Sequence, residues 1–227
     1  MRVLLDVGAH VGDTVRVALE QRWQFDQVWA FEPTTVCLDR LREITDPRLT
    51  VVDAGWWSSD ETIDIHDPGT LHASVLPEAS REDRVERCQL VDAAAWMAAY
   101  IDEDDVVWVK MNIEAAEIEA LRRLLETGEI RKVDHLVVHF DSEKYGGHGD
   151  ARDVREQLDA SGIEWRDAGR VMFGRDDASK MHSWLAWTMG DRFDFERRRL
   201  EHRARAAVWR ARNRVGLRPR PSSSRSR

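Results

Sequence analysis

From its first residues the chain alternates short apolar or β-branched runs with longer segments of helical periodicity. The runs RVLLDV, QVWAFE and LTVVDAGW are separated by VGDTVRVALEQRW and TTVCLDRLREI, which is a βαβαβ order. The runs are apolar on both faces and do not alternate, as expected for strands covered by helices on each side. The pattern therefore predicts a doubly wound α/β fold built on a parallel sheet.

An irregular stretch interrupts this order before it resumes. Residues Ser58–Leu90 carry several turn signals and predict a loop or small hairpin near the edge of the sheet. Asp92 can then cap a helix, and DVVWVKMNI and KVDHLVVHF have the composition of two buried strands. Between these strands lies an amphipathic helix that we expect to end at Gly128.

The last strands are predicted from composition. The segments IEWRDAG with RVMFG, and then HSWLAWTM, are rich in β-branched and aromatic residues. They predict two closing strands, which we expect to be antiparallel.

Charge divides the chain into an acidic body and a basic end. Residues 192–227 contain thirteen Arg and three carboxylates, a net charge of +10, which leaves −18 on residues 1–191. An acidic body is a poor surface for nucleic acid, which requires clustered Lys and Arg. We predict a domain over 1–191, a basic C-terminal helix over 192–217 and a disordered tail over 218–227.

The basic helix carries a weak apolar stripe of Leu200, Ala204, Ala207 and Val208. In one interpretation this stripe packs on the body and the helix is otherwise solvated. In the other, the helix docks on an anionic surface such as a membrane leaflet or a polyanionic glycan. Both interpretations assign any polyanion contact to this end of the chain.

Cysteine usage and hydropathy favour a cytoplasmic protein. Cys37 and Cys88 are too few for a disulfide framework and lack the paired spacing of a zinc site. No run of about 18 apolar residues is present, and the first residues do not fit a signal peptide. No set of His, Asp and Glu has metal-ligand spacing, so we predict no metal.

The segment DVGAHVGDT, residues 6–14, joins the first strand to the first helix. Its glycines allow close approach of a ligand to the backbone, and the helix end presents free N–H groups, which predicts a nucleotide site. A dinucleotide motif starting at Gly8 would need glycine where His10 and Asp13 stand, which disfavours NAD. An acid at position Asp6 would repel pyrophosphate and suit a cationic ligand such as S-adenosylmethionine.

The second and third strands end in further candidates for adenosine binding. Glu32 and Pro33 close the second strand, and a carboxylate there can accept hydrogen bonds from both ribose hydroxyls. After the third strand come Asp53, Ala54, Trp56 and Trp57, where the ring of one of the two tryptophans could stack on adenine and an acid could accept a hydrogen bond from its amino group.

Three segments resemble a known family. They are DVGAHVGD at 6–13, AFEP at 30–33 and WVKMNIEAAEIEAL at 108–121, and they resemble the FkbM-like S-adenosylmethionine-dependent methyltransferases over about Val3 to Phe140. The third segment is the most specific, since Lys-x-Asp-x-Glu-Gly-x-Glu at a strand end is a mark of that family.

The resemblance implies a class I, Rossmann-like fold with a mostly parallel seven-stranded sheet and an antiparallel closing strand. It implies S-adenosylmethionine as the cofactor and methyl transfer to a hydroxyl of a sugar, glycan or natural product.

This chain departs from the family pattern at two positions. Asn112 stands where the family has Asp, which removes a negative charge but leaves an amide oxygen that can orient the acceptor or the amino-acid part of the cofactor. Ala115 stands where the family has Gly, which a turn tolerates if φ stays negative. An alternative is therefore a non-catalytic module that binds S-adenosylmethionine or adenosine.

Catalytic candidates lie where the fourth and fifth strands end. They are Lys110, Asn112 and Glu114 after the fourth strand, and His139 with Asp141 after the fifth. An ordinary histidine is suited to accept a proton near neutrality, although His139 could equally be structural. Lys110 would act as a base only with a lowered pKa, and the alternative is an ion pair with Glu114 or Glu117. The predicted cofactor-binding residues are Asp6, Gly8, His10, Gly12, Asp13, Thr14, Glu32, Pro33, Asp53, Ala54, Trp56 and Asn112.

Overall fold

Parallel strands with helices on both faces form the main body of the protein, whose computed structural model describes residues 1–70, 73–76 and 84–216. The strands are β1 (Arg2–Val7), β2 (Gln27–Phe31), β3 (Leu49–Val52), β4 (Gly55–Trp57), β5 (Glu61–His66), β6 (Val85–Asp92), β7 (Val106–Met111), β8 (His135–Val138) and β9 (Glu164–Asp167). The α-helices are α1 (Asp13–Ala18), α2 (Thr35–Leu41), α3 (Ala93–Tyr100), α4 (Glu117–Thr127), α5 (His148–Ser161), α6 (Ala168–Val171), α7 (Asp177–Thr188) and α8 (Arg192–Gly216).

Both faces of the main sheet are buried. On one face Val3 and Leu5 of β1 pack in a cluster that includes residues of α3, α4 and α5. On the other face Leu4 packs with residues of α1 and α7, among them Val15 and Trp184. All of these side chains are buried, so β1 has no solvent-facing side, as its continuous apolar sequence indicates. The predicted doubly wound α/β fold is confirmed.

The order of the strands determines where a ligand can bind. The main sheet runs β3-β2-β1-β7-β8-β9. The chain therefore moves outward from β1 to β3 and returns on the other side of β1, where Val7 is in register with Met111 of β7. In open α/β sheets, ligands bind at the carboxyl ends of the two strands where the direction reverses. This switch point lies between β1 and β7.

Of the two segments predicted as antiparallel closing strands, the first contains a parallel strand and the second forms a helix. β9 pairs in parallel with β8, so the main sheet has six parallel strands within the described residues, where seven with an antiparallel one were expected. The segment HSWLAWTM lies mostly in α7, where Met181, Trp184 and Leu185 are buried at helical spacing behind an Asp176 cap. Aromatic content suggested a strand, but the spacing of the apolar residues favours a helix.

The irregular stretch forms the predicted hairpin near the sheet. β5 and β6 pair antiparallel, and β4 pairs in parallel with β6, giving a separate three-stranded sheet. The strand β6 leads directly into α3, where the carboxylate of Asp92 accepts hydrogen bonds from the N–H groups of Ala94 and Ala95. Asp92 is thus the predicted helix cap, and Gly128 ends α4 with φ 83°.

The basic helix α8 packs on the body through a face other than its apolar stripe. The rings of Phe195 and His202 lie 5.7 and 5.5 Å from the ring of Phe173. Leu200 is 62% exposed and Val208 is 54% exposed. The interpretation that the stripe packs on the body is therefore wrong. The predicted tail over 218–227 lies outside the described residues.

Within the part of the chain that the structure describes, no helix combines the length and apolar character needed to cross a bilayer.

Candidate active site

A buried ion pair holds the ends of the two central strands together. The ammonium of Lys110 lies 2.8 Å from Oδ1 of Asp6 and donates to the carbonyl of Gly8 at 2.6 Å. The hydroxyl of Thr14 donates to the other oxygen of Asp6. These contacts join β7, β1 and the first turn of α1, and they fix the glycine turn between β1 and α1.

The ion pair changes the roles expected of both residues. Asp6 is fully buried and its charge faces Lys110, so it is not the free negative charge that the sequence suggested for a cationic ligand. Lys110 pairs with Asp6 and not with Glu114 or Glu117, which were the partners considered as the alternative to a catalytic role. As an ammonium ion Lys110 donates hydrogen bonds and cannot accept a proton. Lys110 is therefore a positioning residue and a donor.

The glycine turn brings the backbones of β1 and β7 into contact. Gly8 has φ 81°, and a Cβ atom there would lie 2.0 Å from the carbonyl oxygen of Asn112. Gly12, with φ 88°, is the N-cap of α1, and its Cβ would contact Leu41 and Ile44. Any larger residue at position 8 would displace the loop that follows β7.

Glu32 at the end of β2 is held rigidly toward the glycine turn. Its Oε2 accepts a hydrogen bond of 2.9 Å from the N–H of His10. Its Oε1 accepts from the N–H of Thr34 at 3.1 Å and from its hydroxyl at 2.6 Å. Glu32 is only 6% exposed. Because each carboxylate oxygen has two lone pairs, Oε2 keeps capacity for a further donor.

A crevice of about 720 Å³, counting space open to solvent, lies beside Glu32 and is called the Glu32 crevice here. Its walls combine polar groups of the glycine turn and β7 loop with apolar side chains from the hairpin sheet. The residues that line the Glu32 crevice include Gly8, His10, Glu32, Trp56, Ile65, Leu90, Asn112, Ile113 and Glu114. This mixture of polar and apolar walls is typical of small-molecule sites.

The residues predicted after β3 lie in different places. Trp56 lines the Glu32 crevice and packs against Phe31 with ring centroids 5.3 Å apart. Asp53 is exposed and pairs with Arg42 at 3.0 Å outside the crevice. Ala54 is buried and does not line the crevice. Of the residues predicted to contact adenine, the structure brings only Trp56 to the crevice.

A second, smaller crevice lies on the other side of the contact between Gly8 and Asn112. Lys110, His139 and Asp13 line it, and we call it the His139 crevice. Burial and the nearby Lys110 ammonium lower the pKa of His139 to about 4. At neutral pH the imidazole is therefore uncharged and only weakly basic, which removes the advantage expected of His139 as a general base.

Glu114 has the acid–base character that His139 lacks. Glu114 is one of the residues that line the Glu32 crevice. Burial and the neighbouring Asp141 carboxylate raise the pKa of Glu114 to about 7. The ammonium of Lys144 bridges the two acids, at 3.4 Å from Glu114 and 2.7 Å from Asp141. A carboxyl group with a pKa near neutrality can exchange a proton at physiological pH.

Glu117 has a structural role beside this pair. It is fully buried, and its Oε1 accepts a hydrogen bond of 2.7 Å from the N–H of Ser142. Burial raises the pKa of Glu117. It therefore holds the loop after β8 against α4, close to Asp141.

The turn that presents Glu114 is strained. Glu114 has φ 41° and Ala115 has φ 82°, both in the left-handed region that favours glycine. The condition that φ stays negative at Ala115 is therefore not met. The hydroxyl of Ser74 donates to the carbonyl of Glu114 at 2.7 Å and helps to hold this turn. Backbone strain of this kind persists where the surrounding structure enforces it, often at functional sites.

Sequence reasoning missed Thr34 and Lys144. Thr34 precedes α2 directly, so the preference of threonine for a helix start could have indicated it. Lys144 comes from the loop after β8, and no local pattern marks it.

Comparison with known proteins gives one partial likeness. No protein-family model matches the sequence, and no curated protein matches it. The chain is similar to the crystal structure of methyltransferase FkbM from Methylobacillus flagellatus KT, with 21% identity and a TM-score of 0.38.

The likeness covers 57% of this chain and 30% of that one, so this chain spans less than a third of the solved protein.

The strain at Ala115 predicts that glycine is the better residue there. We expect Ala115→Gly to raise the free energy of unfolding by about 1 kcal/mol, because a left-handed backbone costs alanine about that much relative to glycine. Thermal unfolding should show a midpoint higher by about 2–4 °C.

The matched control reverses the substitution at a similar backbone position. Gly162 has φ 78°, and an added Cβ would meet no atom within 4 Å. Gly162→Ala should lower stability by a similar amount. A neutral or destabilising Ala115→Gly beside a destabilising Gly162→Ala would contradict strain at Ala115.

Proposed function

We propose that the protein is an S-adenosylmethionine-dependent methyltransferase that methylates a hydroxyl group of a sugar, glycan or natural product. The observation that carries the proposal is the Glu32 carboxylate, which is buried, oriented by three hydrogen bonds and turned toward a crevice beside a glycine turn. A carboxylate in this position is suited to bind the two ribose hydroxyls of an adenosine. The acceptor class is taken from the family that the motifs resemble.

The residues of the Glu32 crevice fit the cofactor. Glu32 keeps acceptor capacity for ribose hydroxyls. The apolar side chains of Trp56, Ile65 and Leu90 offer a surface for a purine. Gly8 leaves the backbone open to close approach. When bound, S-adenosylmethionine would supply a methyl group on a positively charged sulfur.

A base in the same crevice supports transfer to a hydroxyl. Methyl transfer from a sulfonium depends mainly on positioning, and the alcohol loses its proton as the new bond forms. Glu114 can accept that proton at its carboxylate, and the ammonium of Lys144 compensates the charge of the Glu114 and Asp141 pair. Asn112, between the two crevices, can orient a polar group of the acceptor or cofactor through its side-chain amide.

A second candidate function is a module that binds S-adenosylmethionine or adenosine without turnover. Two departures from the family pattern favour it: Asn112 lacks the negative charge of Asp, and Ala115 strains the turn that presents Glu114. Binding is common to both functions, so binding and turnover are tested separately.

The binding test compares two carboxylates with similar hydrogen bonds. Titration calorimetry should show binding of S-adenosylmethionine and S-adenosylhomocysteine and no binding of NAD. Glu32→Gln should weaken binding by about 10- to 100-fold, because a charged hydrogen-bond acceptor is replaced by a neutral one.

The control is Glu86→Gln. Glu86 also accepts hydrogen bonds from the N–H and hydroxyl of one threonine, Thr35, but lies outside the crevice. The Glu86→Gln variant should bind S-adenosylmethionine with the affinity of the wild type. Equal effects of the two variants, or binding of NAD, would refute the assignment of Glu32.

The turnover test measures methyl transfer from S-adenosylmethionine to a panel of monosaccharides and glycosides across pH. The rate should rise with pH and level off above about pH 7, as Glu114 loses its proton. Glu114→Gln should reduce the rate by about 100-fold or more. Glu119→Gln, at a half-buried neighbouring carboxylate on α4 that does not line the Glu32 crevice, is the control and should keep full activity.

Wild-type binding without turnover on any hydroxyl acceptor would favour the non-catalytic module. Full activity of Glu114→Gln would exclude Glu114 as the base.

A further inference from the structure

The helix α8 presents apolar side chains to solvent along one face. Phe193, Leu200 and Val208 are 82%, 62% and 54% exposed, and Ala204 between them is exposed as well. Leu200, Ala204 and Val208 follow at intervals of four residues, and Phe193 lies seven before Leu200. These intervals place the four side chains on one side of a helix. We call this set the α8 stripe.

The opposite side of α8 holds the helix on the body. Phe195 and His202, seven residues apart, contact Phe173 through their rings. Asp194 pairs with Arg22 at 3.9 Å. Helical geometry turns the α8 stripe about half a turn away from Phe195 and His202. The stripe is thus directed outward while the helix is anchored.

Arginines border the stripe on both sides. Arg203 and Arg210 lie along one border, and no ion-pair partner for either is found within the described part of the chain. Arg205 lies along the other border, while Arg197 lies within the stripe between Phe193 and Leu200, and both pair with Glu201. Over Arg192–Gly216 the helix has nine Arg against three carboxylates. An apolar stripe bordered by Arg is the pattern of helices that lie in a membrane interface.

We propose that α8 docks the protein on an anionic lipid surface, with the α8 stripe in the boundary between headgroups and acyl chains. Charge complementarity supports this occupant, because the arginines attract anionic headgroups while the net −18 of residues 1–191 keeps the body away from the bilayer.

A nucleic acid would use the arginines but would leave the stripe in water. A second copy of the helix would bring its like-charged borders together, which opposes pairing through the stripe. A lipid surface offers anionic headgroups to the arginines and acyl chains to the α8 stripe.

The experiment uses the full chain and vesicles that are sedimented by centrifugation. Vesicles contain either phosphatidylcholine alone or phosphatidylcholine and phosphatidylglycerol in equal amounts. The protein should sediment with the anionic vesicles and remain in solution with the neutral ones. Raising salt from about 0.1 M to about 0.5 M should weaken binding, because the arginine contacts are screened.

Two variants distinguish the contribution of the α8 stripe from that of an exposed apolar side chain elsewhere on the helix. Leu200→Ser combined with Val208→Ser should weaken binding to anionic vesicles by about tenfold or more, because buried apolar area contributes to interfacial affinity. The control is Trp209→Ser: Trp209 is 67% exposed but lies off the stripe, so binding should change little. Circular dichroism checks that the variants keep the helical content of the wild type.

Three results would overturn the proposal. The wild type could fail to bind anionic vesicles. The double variant could bind them as well as the wild type, which would leave the arginines as a general polyanion contact. Sedimentation could show a wild-type dimer that the double variant dissociates, which would make the stripe a contact between two copies.

Discussion

The geometry of the site depends on the buried ion pair between Asp6 and Lys110. This pair joins β1 to β7 at the switch point of the sheet, and its contacts with Gly8 and Thr14 set the turn into α1. Loss of either partner would leave an uncompensated buried charge, which typically costs about 3–5 kcal/mol. With the pair in place, the N–H of His10 in the glycine turn donates to the carboxylate of Glu32. The ion pair between Asp6 and Lys110 therefore helps to orient the carboxylate that faces the Glu32 crevice.

Within the Glu32 crevice, the group proposed to bind the cofactor and the group proposed to accept a proton are different side chains. Glu32 and the apolar wall of Trp56 and Leu90 form the part suited to an adenosine, while Glu114 stands in the same crevice with a pKa near neutrality. Burial has opposite consequences for the two main candidate bases, because it disfavours whichever form is charged. It lowers the pKa of His139 and raises that of Glu114, which makes the acid the better proton acceptor near pH 7.

Local pattern predicted the fold and the position of the site, but not the pairing of its charges. Continuous apolar runs predicted the covered parallel strands, and the glycine spacing and Glu32 predicted the crevice at their ends. The partner of Lys110 could not be predicted, since Asp6 is 104 residues away and meets it only because β1 and β7 are neighbours. The burial of His139 and the left-handed φ of Ala115 are likewise products of tertiary packing. The helix α7 is a different case, because both signals are present in its sequence. The spacing of its apolar residues favours a helix, whereas its aromatic content favours a strand.

The most direct test of the central claim is a crystal structure of the protein bound to S-adenosylhomocysteine. We predict that both ribose hydroxyls lie within about 2.5–3.2 Å of the carboxylate oxygens of Glu32, with the purine against Trp56. The account would be contradicted by a nucleoside bound elsewhere on the protein, or bound in the crevice with its ribose directed away from Glu32.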